Sequence, residues 1–575
     1  MPATSSSFTA RARRTIVGQI TSAIKRLTRR QKLWFAILVA FFLFMVAGLV
    51  WETNARALVE LPALGGELKE GIIGTPRFIN PLLAVDNPDR DLVTLIYSGL
   101  IRYDENGLLI PDLAERYEIS ADGKEYRFWL KPNLIWHDGE TVTTEDVVFT
   151  FKSIKDPGLK SPQRVAWEGV DVARKSDREV IFTLKQPYAP FLKNMTIGLL
   201  PAHIWSNISA ENFIYSNFHL EPIGTGPYKI KNIKRDSNNL PTTYELTAFK
   251  NFSLGRPKLK KLIISFYSSE DELLTAHRKG LVESLSAISP VVVKDLITTK
   301  TVLQTAPLSR VFAVFFNQNQ TKIFAQAEVR EALNQLVNRQ EIIDQVLGGY
   351  GRPAYGPLPL QPTPTEIQVE DASTTAALLT RHGWAKNLET NIWEQKTKTE
   401  TKTLSFTLST SDTPELKATA EILKNVWEKF GAKVEVKIFE AGALNRNVIQ
   451  PREYEALLFG EIVSHESDLY SFWHSRERLD LGLNIALYTN TKVDKMLEEL
   501  KNISDPTERR EKSVAVTAEI VKDRSAIFLY SPNFLYLLPS TIKGAVFKLI
   551  NTPADRFSNI YYWFINTEKI WPIFQ

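Results

Sequence analysis

The chain has 575 residues and a mass of 65.3 kDa, with 44% hydrophobic and 23% charged residues. This length supports two or three domain-sized cores and excludes a small disulfide-stabilised scaffold. The sequence contains no cysteine, which excludes disulfides, thiolate nucleophiles, cysteine-ligated metal centres and a lipid-modified N-terminal cysteine.

The net charge of +5 comes from the N-terminal tail. Residues 1–32 hold eight arginines and lysines and no acid, so residues 33–575 retain 62 basic and 65 acidic residues, a net charge of −3. A duplex-binding surface normally requires an excess of basic residues. We therefore expect no nucleic-acid partner, and we assign residues 1–32 to a basic cytoplasmic tail.

The segment 33–51 (LWFAILVAFFLFMVAGLVW) contains no charged residue. As a helix rising about 1.5 Å per residue, it spans the roughly 30 Å hydrocarbon layer, with Trp34 and Trp51 near the two interfaces. We predict a transmembrane helix here, with the basic tail in the cytoplasm, a tether at 52–65 and the remaining body outside the cell membrane. The alternative is a secreted protein, because an Ala-Arg-Ala sequence ending at Ala57 has the spacing of a signal-peptide cleavage site.

Two patterns of apolar residues in the body predict two strands and, later in the chain, a helix. Residues 126–131 and 180–184 place apolar side chains at every second position, which predicts two half-buried strands. Residues 327–347 place apolar side chains near one helical face and stop at Gly348, which predicts one helix.

The second half of the body shows a strand, helix, strand order. Residues 404–408 indicate a strand, residues 414–430 an amphipathic helix that stops at Gly431, and residues 434–439 another strand. This order predicts a parallel βαβ unit within a mixed α/β protein. The polar, repetitive stretch 394–402 predicts a solvated hairpin tip or loop insertion.

The sequence shows no catalytic or cofactor motif. The seven histidines form no His-Glu-x-x-His pair, and no G-x-S-x-G elbow, phosphate loop or dinucleotide fingerprint is present. A polar cluster that includes Glu461, His465 and Glu466 could contact a cation or an amine, or it could be simply solvated. We therefore predict no catalytic residue, no metal site, no cofactor and no enzymatic activity.

Several stretches resemble one protein family. Residues 114–151 (AERYEISADGKEYRFWLKPNLIWHDGETVTTEDVVFTF) resemble the signature of the extracytoplasmic solute-binding proteins of ABC importers, specifically the oligopeptide- and dipeptide-binding family (solute-binding protein family 5). Further landmarks follow in the family's order across about residues 66–570, namely PIGTGPY at 222–228, FN at 316–317, VREAL at 329–333, IIDQVLGG at 342–349 and NIALY at 484–488.

The resemblance implies an α/β fold with two lobes, like the type II periplasmic binding proteins of the large peptide-binder class, which close on a ligand by hinge motion. On that basis lobe I comprises 66–307 and 537–575, with an extra subdomain at 106–222, and lobe II comprises 308–536. The implied function is a monomeric, membrane-anchored component that captures an extended solute, above all oligopeptides, and delivers it to an ABC permease and its ATPase subunits.

Ligand capture in this family resembles strand pairing with an extended peptide. The positions that match its ligand contacts are Glu461, Ile462, Ser464, His465, Glu466, Asn484, Tyr488, Gln163, Trp167, Val85 and Asn87. Of these, Trp167 could equally be a core aromatic.

His465 departs from the family's pattern. Peptide binders carry an aspartate three residues before the position of Asp468, where it pairs with the ligand's ammonium, and this chain has His465 there. An imidazole lacks that negative charge, and an unpaired buried ammonium costs about 3–5 kcal/mol. Recognition of a free amino terminus therefore stays open, with Glu466 or Glu461 as substitutes.

Other functions also stay open at the level of sequence. A binder of an oligosaccharide or a metal chelate would use His465 and stacked tryptophans as contacts. A receptor or scaffold without transport would dock on another membrane protein. An extracellular hydrolase would require a catalytic set that the sequence does not single out.

Overall fold

The computed structural model describes residues 28–57, 59–105, 107–359, 369–463, 469–479, 482–503 and 505–570. These residues fall into two units, which are described separately. The first comprises the described residues of 1–63 and 566–575, and the second comprises those of 64–565.

The strands of the described residues are, in chain order, β1 Val59–Pro62, β2 Glu67–Ile73, β3 Ile101–Tyr103, β4 Leu109–Pro111, β5 Ala114–Ile119, β6 Glu125–Leu130, β7 Val170–Arg174, β8 Glu179–Leu184, β9 Tyr228–Arg235, β10 Pro241–Ala248, β11 Lys261–Tyr267, β12 Ser284–Ser286, β13 Thr301–Pro307, β14 Arg310–Phe316, β15 Gly351–Pro353, β16 Trp384–Lys386, β17 Trp393–Lys396, β18 Thr401–Thr403, β19 Ser405–Ser411, β20 Lys433–Phe439, β21 Ala456–Ile462, β22 Ala526–Pro539 and β23 Thr567–Ile570.

The α-helices are α1 Arg29–Ala57, α2 Asn87–Ile96, α3 Thr144–Lys155, α4 Ala202–Trp205, α5 Ala210–Phe213, α6 Glu270–Arg278, α7 Pro290–Leu296, α8 Ala327–Gln335, α9 Arg339–Val346, α10 Ala372–Arg381, α11 Pro414–Phe430, α12 Ala441–Leu444, α13 Leu469–Trp473, α14 Thr491–Asn502 and α15 Pro506–Lys522. Short 3₁₀ segments include Arg164–Trp167, Ala189–Thr196, Ser475–Arg478 and Pro553–Phe557, and a π-helical turn covers Asn445–Ile449.

The first unit contains the apolar helix α1. It extends beyond the predicted 33–51 at both ends because the flanking arginine, lysine, glutamine and alanine residues also favour helix. The segment Arg29–Leu49 is long and apolar enough to cross a membrane, and none of it is buried. β1 pairs antiparallel with β23, so the stretch predicted as a tether, 52–65, is partly helix and partly strand.

The second unit is built on a twelve-stranded mixed sheet within the described residues. Its order is β20-β19-β21-β14-β22-β12-β2-β11-β10-β9, with β13 and β15 also paired to β22. The N-terminal part of β22 pairs with β14, and its C-terminal part pairs with β13. We call the half with β13, β12, β2, β11, β10 and β9 the first lobe, and the half with β14, β21, β19 and β20 the second lobe.

The chain passes from the first lobe to the second at Leu308 and Ser309, between β13 and β14. Ser309 is 1% exposed, its amide donates to the Ile550 carbonyl at 3.0 Å, and its hydroxyl donates to Asn551 Oδ1 at 2.7 Å. Its carbonyl accepts from the amide of Val463 at 2.9 Å, directly after β21. One residue at the junction therefore bonds to both lobes.

A four-stranded antiparallel sheet, β5-β6-β8-β7, extends the first lobe. The two strands predicted from alternation are confirmed as β6 and β8, which pair with each other. Helix α3 follows β6 in the chain, and its N-cap is Thr143, whose hydroxyl accepts from the Glu145 amide while Asp146 accepts from the Thr143 amide. This capping box begins α3.

The glycine-containing turn after the first-lobe subdomain packs against the end of α2. The amide of Gly226 donates to the Ile96 carbonyl at 2.8 Å. A Cβ atom at Gly224 would lie 1.9 Å from the same carbonyl oxygen, so no larger residue fits there.

The predicted βαβ unit of the second lobe is confirmed. β19 and β20 pair in parallel, and α11 between them stops at Gly431, which has φ +114°. The stretch 394–402 lies in the β17–β18 hairpin, as predicted. The prediction of one helix over 327–347 is wrong, because the chain forms α8 and α9, and Asn338 between them caps α9 by accepting from the Glu341 amide.

Candidate ligand-binding site

A cavity of about 640 Å³ opens in the second unit. Residues of α2, β3, the segment 193–198 and the segment 549–558 line its first-lobe side, and Ile462 at the end of β21 lines it from the second lobe. The 3₁₀ helix Ala189–Thr196, part of this lining, also contacts α14 of the second lobe. Both lobes therefore contribute to this cavity.

Two of the residues predicted from sequence line the cavity, Gln163 and Ile462. The Nε2 of Gln163 donates to the Pro81 carbonyl at 3.3 Å, which joins two loops of the wall. Ile462 is 42% exposed, so an apolar surface remains available to a ligand. The chain continues through Val463, after which three predicted contacts lie outside the described residues, namely Ser464, His465 and Glu466.

Val85 and Asn87 are exposed at the start of α2. They do not line the cavity, whereas their neighbours Ala84 and Arg90 do. The loop that carries these two predicted contacts therefore borders the cavity, but other side chains of the same region form the lining.

Trp167 lies in the core of the first lobe. It is 1% exposed, and its ring centroid lies 4.3 Å from that of Phe151 and 5.5 Å from that of Phe191. The ring does not line the cavity, although Gln163 at the start of the same 3₁₀ turn does. This placement corresponds to the core alternative for Trp167.

Asn484 and Tyr488 hold a loop of the second lobe. The Nδ2 of Asn484 donates to the His474 carbonyl at 3.1 Å and to the Tyr488 carbonyl at 3.0 Å, and its Oδ1 accepts from the Tyr488 amide at 3.0 Å. The Tyr488 hydroxyl donates to Asp523 Oδ2 at 2.6 Å, and burial raises its pKa. Neither side chain lines the cavity.

Glu461 points into the apolar core of the second lobe, opposite Val311 of β14. It is 5% exposed, and its Oε1 has no hydrogen-bond partner in the described residues. Burial raises the pKa of this carboxyl group well above its ordinary value. The Glu461 side chain is therefore turned away from the cavity, and of these two neighbours only Ile462 lines it.

A buried ion network supports the first-lobe wall. Arg556 donates to Glu70 of β2 at 3.0 Å and to Asp91 of α2 at 2.7 Å, and the Tyr536 hydroxyl of β22 donates to Glu70 at 2.7 Å. Burial raises the pKa of Glu70 and Asp91, and the charge of Arg556 opposes this in part. Because Arg556 belongs to Pro553–Phe557, the network fixes that turn and α2 on the sheet.

The described residues contain no group of three or more histidine, aspartate or glutamate side chains that could hold a metal ion. The family model of the bacterial extracellular solute-binding proteins, family 5 (middle), matches residues 109–478. The chain belongs to this family.

Curated relatives of this family 5 protein match over most of their length. The oligopeptide-binding protein AppA of Bacillus subtilis (strain 168) is 27% identical over 558 residues, covering 94% of this chain and 99% of the relative. The dipeptide-binding protein of Escherichia coli (strain K12) is 24% identical over 451 residues, covering 70% and 80%.

Solved structures match the family 5 chain equally broadly. AppA from Bacillus subtilis in complex with a nonapeptide has a TM-score of 0.69 at 25% identity, covering 88% of this chain and 100% of that chain. CtaP from Listeria monocytogenes, an ABC transporter substrate-binding protein, has a TM-score of 0.74 at 26% identity, covering 87% and 99%. NikZ from Campylobacter jejuni in complex with Ni(L-His) has a TM-score of 0.69 at 26% identity, covering 86% and 99%. The predicted two-lobed α/β fold is confirmed.

The sequence did not predict several residues that line the cavity of this family 5 protein. Arg90, Arg102, Lys193 and Asn551 all line it, and they come from separate segments, of which the last is far from the others in the chain. No short motif joins such positions. The one prediction near any of them was the pair Val85 and Asn87, which the resemblance implied as ligand contacts and which shortly precede Arg90 in the chain.

Proposed function

We propose that the chain is the extracytoplasmic binding component of an ABC importer and that it holds an extended peptide in the 640 Å³ cavity. The observation that carries this proposal is the cavity itself, because its lining comes from both lobes of a protein that belongs to a solute-binding family. The similar AppA of Bacillus subtilis is named for oligopeptide binding, and its solved structure contains a nonapeptide.

The proposed lobes are 66–307 with 537–575, including the extra subdomain 106–222, and 308–536. The pairing of β22 with both β13 and β14 supports this division, with the return crossing proposed to lie within that strand. Closure would turn the lobes about the junction at Ser309, whose hydrogen bonds reach both of them.

Isothermal calorimetry on the purified chain tests peptide binding. Mixed-sequence peptides of two to six residues, free and N-acetylated, should bind, since main-chain recognition tolerates many sequences. Maltooligosaccharides and Ni(L-His) are the control ligands. Heat from a control ligand in the absence of any peptide binding would refute the peptide proposal and favour a different solute.

We further propose that α1 anchors the protein, with residues 1–32 in the cytoplasm and the body outside. The uncharged segment 33–51 supports this, and so does the cationic tail before it. Intact protein should remain in membranes after carbonate washing. A soluble form whose N-terminus lies just after Ala57 would instead indicate a cleaved signal sequence.

The proposed partner is a permease with ATPase subunits, and the proposed role is binding without chemistry. Purified monomeric protein with bound peptide should stimulate ATP hydrolysis by the reconstituted transporter, because the permease is expected to bind the peptide-loaded form. Mass spectrometry of the released peptide should show no change. A cleaved or modified peptide would contradict the binding role.

A further inference from the structure

The strand β1 begins directly beyond the apolar helix of the first unit. α1 ends at Ala57 and β1 covers Val59–Pro62, so one residue separates them. On the proposed anchoring, the uncharged segment 33–51 fills the hydrocarbon layer, and the helical residues 52–57 rise about 9 Å above it at about 1.5 Å per residue. The polar interface extends roughly 5–8 Å beyond the hydrocarbon layer. β1 therefore starts close to the outer edge of that interface.

The strand β23 runs back toward the level at which α1 ends. It pairs antiparallel with β1, and Val59 lies opposite Ile570 at the end of the ladder that is nearest to α1 in the chain. The Nζ of Lys569 lies 3.7 Å from the Oε1 of Glu60, and these two residues are direct partners across the strands. A cross-strand pair of opposite charge favours this register. β23 therefore ends beside the start of β1, just beyond the end of α1.

The character of the sequence changes at the end of β23. Thr567, Glu568 and Lys569 are polar and exposed. After Ile570 the sequence continues as Trp-Pro-Ile-Phe over 571–574, which contains no charge and two aromatic residues and lies outside the described residues. Four extended residues cover about 13 Å at about 3.3 Å each, which exceeds the roughly 9 Å between the end of α1 and the hydrocarbon layer. The apolar stretch is therefore long enough to return to the lipid.

We propose that the stretch 570–574 makes a second contact with the lipid bilayer, at the interface from which α1 emerges. Aromatic side chains, tryptophan above all, favour this level of a membrane, because the ring is apolar and its N–H can reach water or headgroups. The β1–β23 ladder brings a part of the chain that is far from α1 in sequence to the level of the membrane surface. The inference rests on the proposed anchoring by α1 and adds a second membrane-contacting segment to it.

Depth measurements on the full-length protein in liposomes of phosphatidylcholine and phosphatidylglycerol test the proposal. Because the sequence contains no cysteine, one substitution places one nitroxide label. Labels on Phe574→Cys, Glu568→Cys and Met45→Cys are compared by power-saturation EPR with oxygen, which concentrates in lipid, and with Ni-EDDA, which stays in water. The oxygen to Ni-EDDA collision ratio of Phe574→Cys should exceed that of the exposed Glu568→Cys at least about threefold, with Met45→Cys in α1 as the lipid reference.

Each outcome of the depth measurement decides a different point. A collision ratio of Phe574→Cys as low as that of Glu568→Cys, with the label of Met45→Cys in lipid, overturns the inference and leaves the anchor intact. Low collision of Phe574→Cys with both reagents means that the label is buried in protein, which also overturns the lipid contact. A water-exposed label on Met45→Cys refutes the anchoring on which the inference rests.

The double variant Glu60→Cys/Lys569→Cys tests the ladder without any label. Directly opposed residues of an antiparallel pair have Cα atoms about 4.5–5.5 Å apart, which is within reach of a disulfide, so oxidation should join them. Glu60→Cys/Thr567→Cys is the control and should stay unjoined, because Thr567 lies opposite Pro62, two positions away. Intact-mass spectrometry measures the cross-link. Equal cross-linking of the two pairs, or none in either, overturns the register and with it the inference.

Discussion

The guanidinium of Arg556 donates two parallel hydrogen bonds to the carboxylate of Asp91, from Nη1 at 2.8 Å and from Nη2 at 2.7 Å. The two residues are 465 positions apart, and both are buried. Asp91 follows Arg90 on α2, and Asp555 precedes Arg556 on the opposite side of this bond. The pair therefore joins two parts of the cavity wall that the chain order keeps apart.

Arg556→Gln should lower the free energy of unfolding by about 3–5 kcal/mol, because it leaves two buried carboxyl groups, Glu70 and Asp91, without their cation. Urea denaturation followed by tryptophan fluorescence measures the loss. The control is Arg127→Gln, which removes a 40% exposed side chain paired with Glu125 and should lower the free energy of unfolding far less, because solvent screens an exposed ion pair. Equal losses in the two variants would contradict a structural role for the buried pair.

Glu461→Gln should raise the free energy of unfolding relative to the wild type, and the difference should grow as the pH rises. Burial raises the pKa of this carboxyl in the folded state well above its ordinary value of 4.5. Between the two pKa values the folded state keeps a proton that the unfolded state has released. The free energy of unfolding of the wild type relative to the variant is therefore highest below pH 4.5, and it falls by about 1.4 kcal/mol per pH unit from there up to the raised folded-state pKa.

Urea denaturation of both proteins between pH 5 and pH 8 checks this slope. The exposed Glu118→Gln variant controls for general effects of removing one acid. A difference between Glu461→Gln and wild type that stays constant over this range would mean that Glu461 is ionised in the native protein.

His137 should make the protein less stable as the pH falls from 6.5 to about 4. Burial lowers the pKa of its imidazole to about 4, against the opposing effect of the hydrogen bond to the Gly226 carbonyl at 3.0 Å. Between these pH values the unfolded state binds a proton that the folded state does not, so unfolding becomes easier by about 1.4 kcal/mol per pH unit.

Histidine ring resonances in a pH titration by NMR give the direct measurement, with assignment by His137→Gln. The His137 ring should remain neutral to below pH 5, because its Nδ1 accepts from the Gly224 amide at 3.3 Å while Nε2 donates. A midpoint above pH 6 would contradict the buried neutral ring.

Trp167→Leu should lower the free energy of unfolding by about 2–4 kcal/mol, the range for large-to-small changes in a packed core. The affinity for peptide should not change, because the ring packs on Phe151 and does not line the cavity. Gln163→Ala is the control on the cavity wall. It should weaken peptide binding and change the free energy of unfolding by no more than about 0.5 kcal/mol. A loss of affinity with unchanged stability in Trp167→Leu would assign the ring to the ligand.

The sequence predicted those elements whose signals are local. The alternation of 126–131 and 180–184 and the amphipathic period of 414–430 depend only on neighbouring side chains, and they gave β6, β8 and α11. The break between α8 and α9 was missed because the apolar period continues through Asn338, whose side chain forms a cap only once the backbone turns there.

The site was less accessible to sequence reasoning than the fold. Glu461 and Ile462 are adjacent, yet only the register of β21 against β14 decides which of them is buried and which faces the cavity. Arg90 and Asn551 both line the cavity, and the Arg556–Asp91 pair joins the two segments that carry them. Such long-range pairings have no short-range pattern in a single sequence.

The continuous strand β22 has an evolutionary consequence. Leu529 packs in the core of one lobe and Leu537 in a core of the other, so one uninterrupted piece of backbone satisfies two interiors at once. Recombination that exchanged a single lobe with a homologue would have to cut this strand and would leave amides of the retained half unpaired. The two halves are therefore expected to be inherited together and to melt in one cooperative transition.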